Sequence, residues 1–102
     1  MYIGFSEIFG KINTYTDIDK FALDLRWYCR ENYDIDRYTA EDIVEIAIKN
    51  LVTRPACNPY CYTWFPVREQ ILYRVRDLCE IYSIKGIEAI NKEYHYAFYF
   101  LD

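Results

Sequence analysis

Residues 17–35, DIDKFALDLRWYCRENYDI, and residues 66–84, PVREQILYRVRDLCEIYSI, decide how the fold is read. Each carries apolar side chains at three- and four-residue spacing, the pattern of an amphipathic helix. The two stretches also echo one another. Phe21, Leu25, Arg26 and Cys29 recur fifty positions later as Ile71, Val75, Arg76 and Cys79, and a one-residue deletion then aligns Tyr33 and Ile35 with Tyr82 and Ile84. Shared apolar positions mean little, because any two amphipathic helices have them. The matched Arg and Cys identities carry the comparison and point to an internal duplication. It implies a first unit over 1–52 and a second over 67–102. The two must share one core, since a half of about 50 residues buries too little surface to be stable alone.

Between them lies TRPACNPYCYTWFP, residues 53–66, with all three prolines of the chain, Pro55, Pro59 and Pro66. Such a cluster ends regular structure, so this segment reads as the linker. Tyr-Thr occurs at 15–16, 38–39 and 62–63, each time ahead of an apolar-periodic run. Thr is a good N-cap, and Asp19 after Thr16 and Asp42 after Thr39 supply a carboxylate in the first turn. A first helix is predicted over 17–33, burying Ile18, Phe21, Ala22, Leu25 and Cys29. A second is predicted over 40–51, burying Ile43, Val44, Ala47 and Ile48, with Tyr38 stapled onto Ile43. For the third, over 66–82, Phe65 is the cap and Pro66 takes the first helical position; it buries Val67, Ile71, Leu72, Val75, Leu78 and Cys79.

The tail changes character. From Glu93, EYHYAFYFL is aromatic with poor polar alternation and reads as a strand covered on both faces, paired with Ile87–Ile90 through an Asn91-Lys92 turn. At the other end, Phe5, Ile8, Phe9 and Ile12 have helical spacing, while 2–5 suits a strand equally well. The expected class is therefore α+β: two weakly similar helical units completed by a C-terminal β element.

Hydrophobic residues make up 53% of the 102, with only three Gly and three Pro, so the chain is globular rather than disordered. Twelve Tyr and thirteen Ile stand out. So many phenols suit either a wide aromatic core or an interface, where Tyr offers a rigid apolar face and a polar tip. The net charge of −4 resides in residues 1–50, with ten acidic and six basic groups, against six and six in the remainder. That balance argues against a nucleic-acid binder, which needs a dominant basic surface to displace counterions. MYIGFSEIFGKI does not read as a secretion signal, and no apolar run approaches the roughly 18 residues of a membrane helix.

Each candidate chemical site has a plainer alternative. Cys57 and Cys61 flank Asn-Pro-Tyr and are a candidate disulfide within the linker. Zinc sites pair closely spaced cysteines twice, and here there is one such pair, so no metal is expected. Cys29 and Cys79 read as small core residues that also meet if their helices pack antiparallel. In a reducing cytosol all four remain thiols, whereas hyperthermophile proteins commonly carry intracellular disulfides. Asp17/Asp19 and Asp34/Asp36 have a spacing nucleases use for divalent ions, yet acids in a helix's first turn serve as caps. His95 lacks a nucleophile motif to serve, and no phosphate-binding loop occurs. No catalytic residue and no cofactor is assigned.

Trp27 and Leu23 lie on the flank of the first helix, away from the Phe21/Leu25/Cys29 stripe, with Arg26 and Arg30 beside them. A partly exposed Trp bordered by Arg has the composition of an interface hot spot; its alternative is a second packing face. With Tyr62 and Trp64 of the linker and Tyr73 of the third helix, these residues form the expected peptide-binding set, in a groove between the two units.

The Tyr- and Ile-rich, Gly-poor chain, with stretches such as FALDLRWYCRENYDIDRYTAEDIVEIAIKNL (21–51), resembles the small proteins of filamentous viruses of hyperthermophilic archaea, such as the Acidianus filamentous viruses. The resemblance implies a source and a high working temperature, with location in the host cytoplasm or the virion; it carries no functional motif. The expected function is a non-enzymatic module binding a protein or peptide segment, as a monomer or homodimer. The alternatives are a metal-dependent nucleic-acid enzyme working through the Asp pairs and a structural virion subunit.

Overall fold

A computed structural model describes residues 3–51 and 65–95, and five α-helices are formed among these described residues. They are α1 (Phe5–Gly10), α2 (Ile18–Tyr33), α3 (Arg37–Leu51), α4 (Arg68–Lys85) and α5 (Ile87–His95), with 3-10 turns at Ile12–Thr14 and Phe65–Val67. α3 packs against both α2 and α4, which also meet each other directly, and α5 lies against α3 and α4. α1 rests on α2.

No strand occurs among the described residues, so the architecture is all-α and the expected α+β class is corrected. Ile87 to His95 is a helix, not the start of a hairpin. The local reason is legible in hindsight. Gly86 takes φ +83, a conformation open to glycine, and so ends α4 and lets the chain reverse at once. IEAINKEYH then runs on residues with good helix propensity. Ile90 falls into the core with no exposure, one turn after Ile87, and Glu93 pairs with Arg74 at 3.1 Å. Aromatic richness near the C-terminus outweighed this helical period in the sequence reading. The aromatic tail beyond His95 lies outside the described residues, as does the segment 52–64.

The predicted α2 matches the structure almost residue for residue. Asp17 is its N-cap: the Asp19 N–H donates to Asp17 Oδ1 at 2.9 Å, so the cap is one residue later than Thr16. For α3 the expected cap is displaced further. Asp36, not Thr39, closes the N-terminus, with the Thr39 N–H donating to Asp36 Oδ2 at 3.2 Å and the Ala40 N–H to the Asp36 carbonyl at 2.9 Å. The helix thus gains its first turn from Arg37, Tyr38 and Thr39. Thr39 becomes a buried helical position, and Tyr38, 74% exposed, makes no staple onto Ile43. Asp34, at φ +52, provides the left-handed residue that turns α2 into α3.

One core unites these helices. Phe21, Leu25 and Cys29 of α2, Ile43, Val44 and Ile46 of α3, Ile71, Leu72, Val75, Leu78 and Cys79 of α4 and Ile90 of α5 are buried together, joined by Ile8 of α1. The three echoed apolar pairs, Phe21/Ile71, Leu25/Val75 and Cys29/Cys79, are all fully buried. Tyr33 and Tyr82 are both half-buried against that core, and the match in environment ends at the last pair. Ile35 is buried, whereas Ile84 is 82% exposed.

Polar ties fix how the helices enter this core. The Tyr15 hydroxyl donates to Asp24 Oδ2 at 2.7 Å, and Lys11 lies 3.4 Å from the same oxygen, so the buried Asp24 carboxylate is paired. Burial, then the hydrogen bond and charge of Asp24, push the Tyr15 phenol well above its usual range, so Tyr15 acts as a donor throughout the physiological range. Arg68 Nη1 donates to the Tyr15 carbonyl at 2.6 Å, locking the start of α4 to the segment ahead of α2. Arg74 donates from Nε to Asn50 Oδ1 at 3.1 Å and from Nη2 to Glu93, tying α3, α4 and α5 together at one end.

Two predictions follow from these placements. Leu25→Ala should destabilise by about 2–4 kcal/mol and Val75→Ala by somewhat less, since each empties a site in the shared core; chemical denaturation measures both, and a loss under about 0.5 kcal/mol would place that residue outside the core. Asp36→Ala should cost about 1 kcal/mol at neutral pH through loss of the cap. The hydrogen bond from Thr39 lowers the Asp36 pKa in the folded state below 3.8, so its contribution is complete above that value. As pH falls below 3.8 toward the folded value, the wild-type advantage should shrink, and equal stability gaps at neutral and acid pH would contradict the cap.

Candidate interaction surface

α2 presents two faces besides the one it buries against α4. Tyr28 turns toward α1, where its ring centroid lies 6.3 Å from that of Phe5. Leu23, Arg26, Trp27 and Arg30 turn the other way and, with Arg37 and Glu41 of α3, line a hollow of about 300 Å³. Leu23 and Trp27 thus line the same hollow. The hollow lies between α2 and α3, both within residues 1–52, rather than between the two units.

The side chains of this hollow are arranged by helix spacing. Leu23, Trp27 and Arg30 are four and three residues apart, so they stack along one stripe of α2. The Arg30 guanidinium sits over the Trp27 ring at 4.8 Å, a cation–π contact that holds both in place. From α3, Arg37 pairs with Glu41 at 3.5 Å. Arg26 makes no ion pair among the described residues. Three guanidinium groups therefore surround one carboxylate and one indole, a local excess of positive charge in a chain whose net charge is −4.

A second hollow adjoins the first. It shares Trp27 and Arg30 and is lined further by Glu31, Asp34, Ile35 and Asp36. Together the two make one surface around Trp27 and Arg30 on which basic and acidic side chains are interleaved. The sequence had placed Arg26 and Arg30 beside Trp27. It missed Arg37 and Glu41, because α3 was expected to start at residue 40; the i, i+4 spacing of Arg37 and Glu41 was the available signal.

Tyr73 lies elsewhere. On α4 it meets Phe5 and Phe9 of α1, with ring centroids 5.5 and 6.4 Å away, and Arg76 covers this group at 4.6 Å from the Phe5 ring and 5.0 Å from that of Tyr73. Tyr73 and Arg76 stand fifty residues after Leu23 and Arg26, at the same register of the echoed helices. On α4 this face borders the aromatic side of α1 and leaves Tyr73 40% exposed; on α2 it borders Arg37 and Glu41 of α3 and leaves Leu23 41% exposed. Tyr62, Trp64 and the cysteine pair Cys57 and Cys61 lie outside the described residues.

The acidic pairs are committed to the backbone. Asp17 and Asp36 cap helices and Asp34 makes the turn between them. Among the described residues no group of three or more His, Cys, Asp or Glu side chains is placed to hold a metal ion. His95 is the last residue of α5, not part of a strand. No described helix is long and apolar enough to cross a membrane. No known protein family, curated protein or solved structure matches the chain.

Proposed function

We propose that this protein is a non-enzymatic interaction module that takes a segment of a partner protein across the Trp27 surface of α2 and α3. The observation that carries the reading is the Trp27 hollow itself, where a half-buried indole under Arg30 stands beside Leu23, 41% exposed, with Arg26 and Arg37 at its border. At the same register of α4, Tyr73 gathers Phe5 and Phe9, two rings four residues apart on one helical turn, beside Arg76 while staying 40% exposed. The face carrying Leu23, Arg26 and Trp27 offers equivalent chemistry with room for an incoming side chain. A partner aromatic or large aliphatic residue fits against Trp27 and Leu23 as Phe5 and Phe9 fit against Tyr73.

Charge sets the rest of the partner. Carboxylates suit Arg26 and Arg37, where a guanidinium can take them in bidentate fashion, and a basic residue suits Asp34 and Glu31 nearby. The partner segment therefore carries charges of both signs around a central apolar anchor. The compositional resemblance to proteins of filamentous archaeal viruses supports a viral setting for this module, in the host cytoplasm or the virion.

Selection from a displayed library of short peptides tests the proposal. Recovered sequences should share an aromatic anchor with acidic residues beside it, and Trp27→Ala should weaken them by about 1–3 kcal/mol. Arg26→Glu with Arg37→Glu should turn selection away from acidic sequences. Recovery of nothing above background, or of peptides indifferent to Trp27→Ala, would overturn the assignment. Sedimentation of the protein alone would reveal a homodimer, and loss of that dimer in Trp27→Ala would make the partner a second copy of this chain.

A further inference from the structure

Cys29 of α2 and Cys79 of α4 face one another across the centre of the core, Sγ to Sγ 3.3 Å, with the Cys79 thiol donating to the Cys29 sulfur. Both are free thiols with no solvent exposure. They occupy the same register of the echoed helices and are flanked by Leu25 and Val75, each one turn earlier and each fully buried. We propose that these two cysteines form a structural disulfide that joins α2 to α4, and that it is made before the core closes and sealed by the closure.

The geometry needs little adjustment. A disulfide holds its sulfurs about 2.05 Å apart, so bonding draws this pair together by roughly 1.3 Å, within the reach of small χ1 rotations in a pair already facing each other. The timing follows from burial. The hydrogen bond from Cys79 to Cys29, together with burial, pushes the Cys79 thiol far above its usual range, and with neither sulfur exposed no external disulfide reaches the pair in the closed core. In the open chain both thiols ionise normally. One thiolate attacks a low-molecular-weight disulfide such as oxidised glutathione, forming a mixed disulfide and releasing one glutathione thiolate, which takes up a proton. The second cysteine thiolate then displaces the other glutathione from the mixed disulfide. The protein pair loses two electrons and two protons, and two glutathione thiols are produced.

Such a bond spans fifty residues, a long loop whose closure removes much conformational freedom from the unfolded chain. It would hold together the two helices on which every other element rests. It is independent of the proposed partner surface, since Leu23, Trp27 and Arg30 lie on another face of α2.

Refolding from denaturant in a glutathione redox buffer, followed by alkylation and non-reducing peptide mapping, tests this. The full chain should yield a linked peptide pair containing Cys29 and Cys79, in the Cys57→Ser/Cys61→Ser variant as well as in the wild type. The oxidised form should melt on the order of 10–20 °C above protein refolded with reductant. That gap should vanish in Cys79→Ala, whatever the variant's own melting point. Cys29 and Cys79 both alkylated after oxidative refolding, or a linked form that melts no higher than the reduced one, would overturn the proposal. Reduced native protein should react with a thiol reagent at these two sites only as fast as the core opens; rapid labelling would contradict their seal.

Discussion

The direct contact between α2 and α4 is the constraint on which the other packing decisions depend. Phe21, Leu25 and Cys29 on one helix and Ile71, Val75 and Cys79 on the other are all fully buried, and the two sulfurs touch near the centre. Small side chains at that crossing let the helices come close, and the large aliphatics on either side fill the space that remains. α3 can then cover both helices at once, and α5 completes the enclosure with Ile90. A residue lost from the α2–α4 crossing is therefore felt by elements that never touch it.

Hydrogen bonds and ion pairs decide orientation where apolar packing leaves it open. Asp24 is buried, yet its oxygens meet the Tyr15 hydroxyl and the ammonium of Lys11, so the segment ahead of α2 is held across its side. Arg68 reaches the Tyr15 carbonyl from the start of α4. Asn32 donates to the Ile3 carbonyl at 2.7 Å and draws the N-terminal segment onto the far end of α2. Among the described residues no buried side-chain polar atom is left without a partner. These ties are directional where the aliphatic core is not, and they give the bundle one arrangement.

The two echoed helices share a buried stripe but differ in their outer faces, and that difference makes the candidate site. Leu23 and Arg26 correspond to Tyr73 and Arg76, whereas Trp27 and Arg30 correspond to Asp77 and Glu80. The rings of α1 pack beside the aromatic of α4, which stays 40% exposed. On α2 the same register opens onto a hollow shared with α3 and lined by Arg26, Arg30, Arg37 and Glu41 around Trp27. The core thus keeps the pair alike in register while their outer faces differ in chemistry.

The sequence by itself determined the helices α2, α3 and α4 and most of the residues they bury, because an amphipathic stripe records which face must leave water; Tyr28 and Ile46, which widen the buried face, fell outside that stripe. It also determined that Cys29 and Cys79 hold equivalent positions and that Trp27 sits apart from the core stripe among arginines. Cap positions were less legible. Asp36 and Thr39 are both good caps, and only the turn made by Asp34 settled between them. The C-terminal region was misread because aromatic composition is shared by buried strands and buried helices, and it took the left-handed Gly86 and the slot for Ile90 between α3 and α4 to select a helix. Tertiary structure alone placed Arg37 and Glu41 opposite Trp27, and carried Tyr73 away from it onto α1. Those are relations between elements, fixed by how the helices cross, and a linear pattern of hydrophobicity does not encode a crossing.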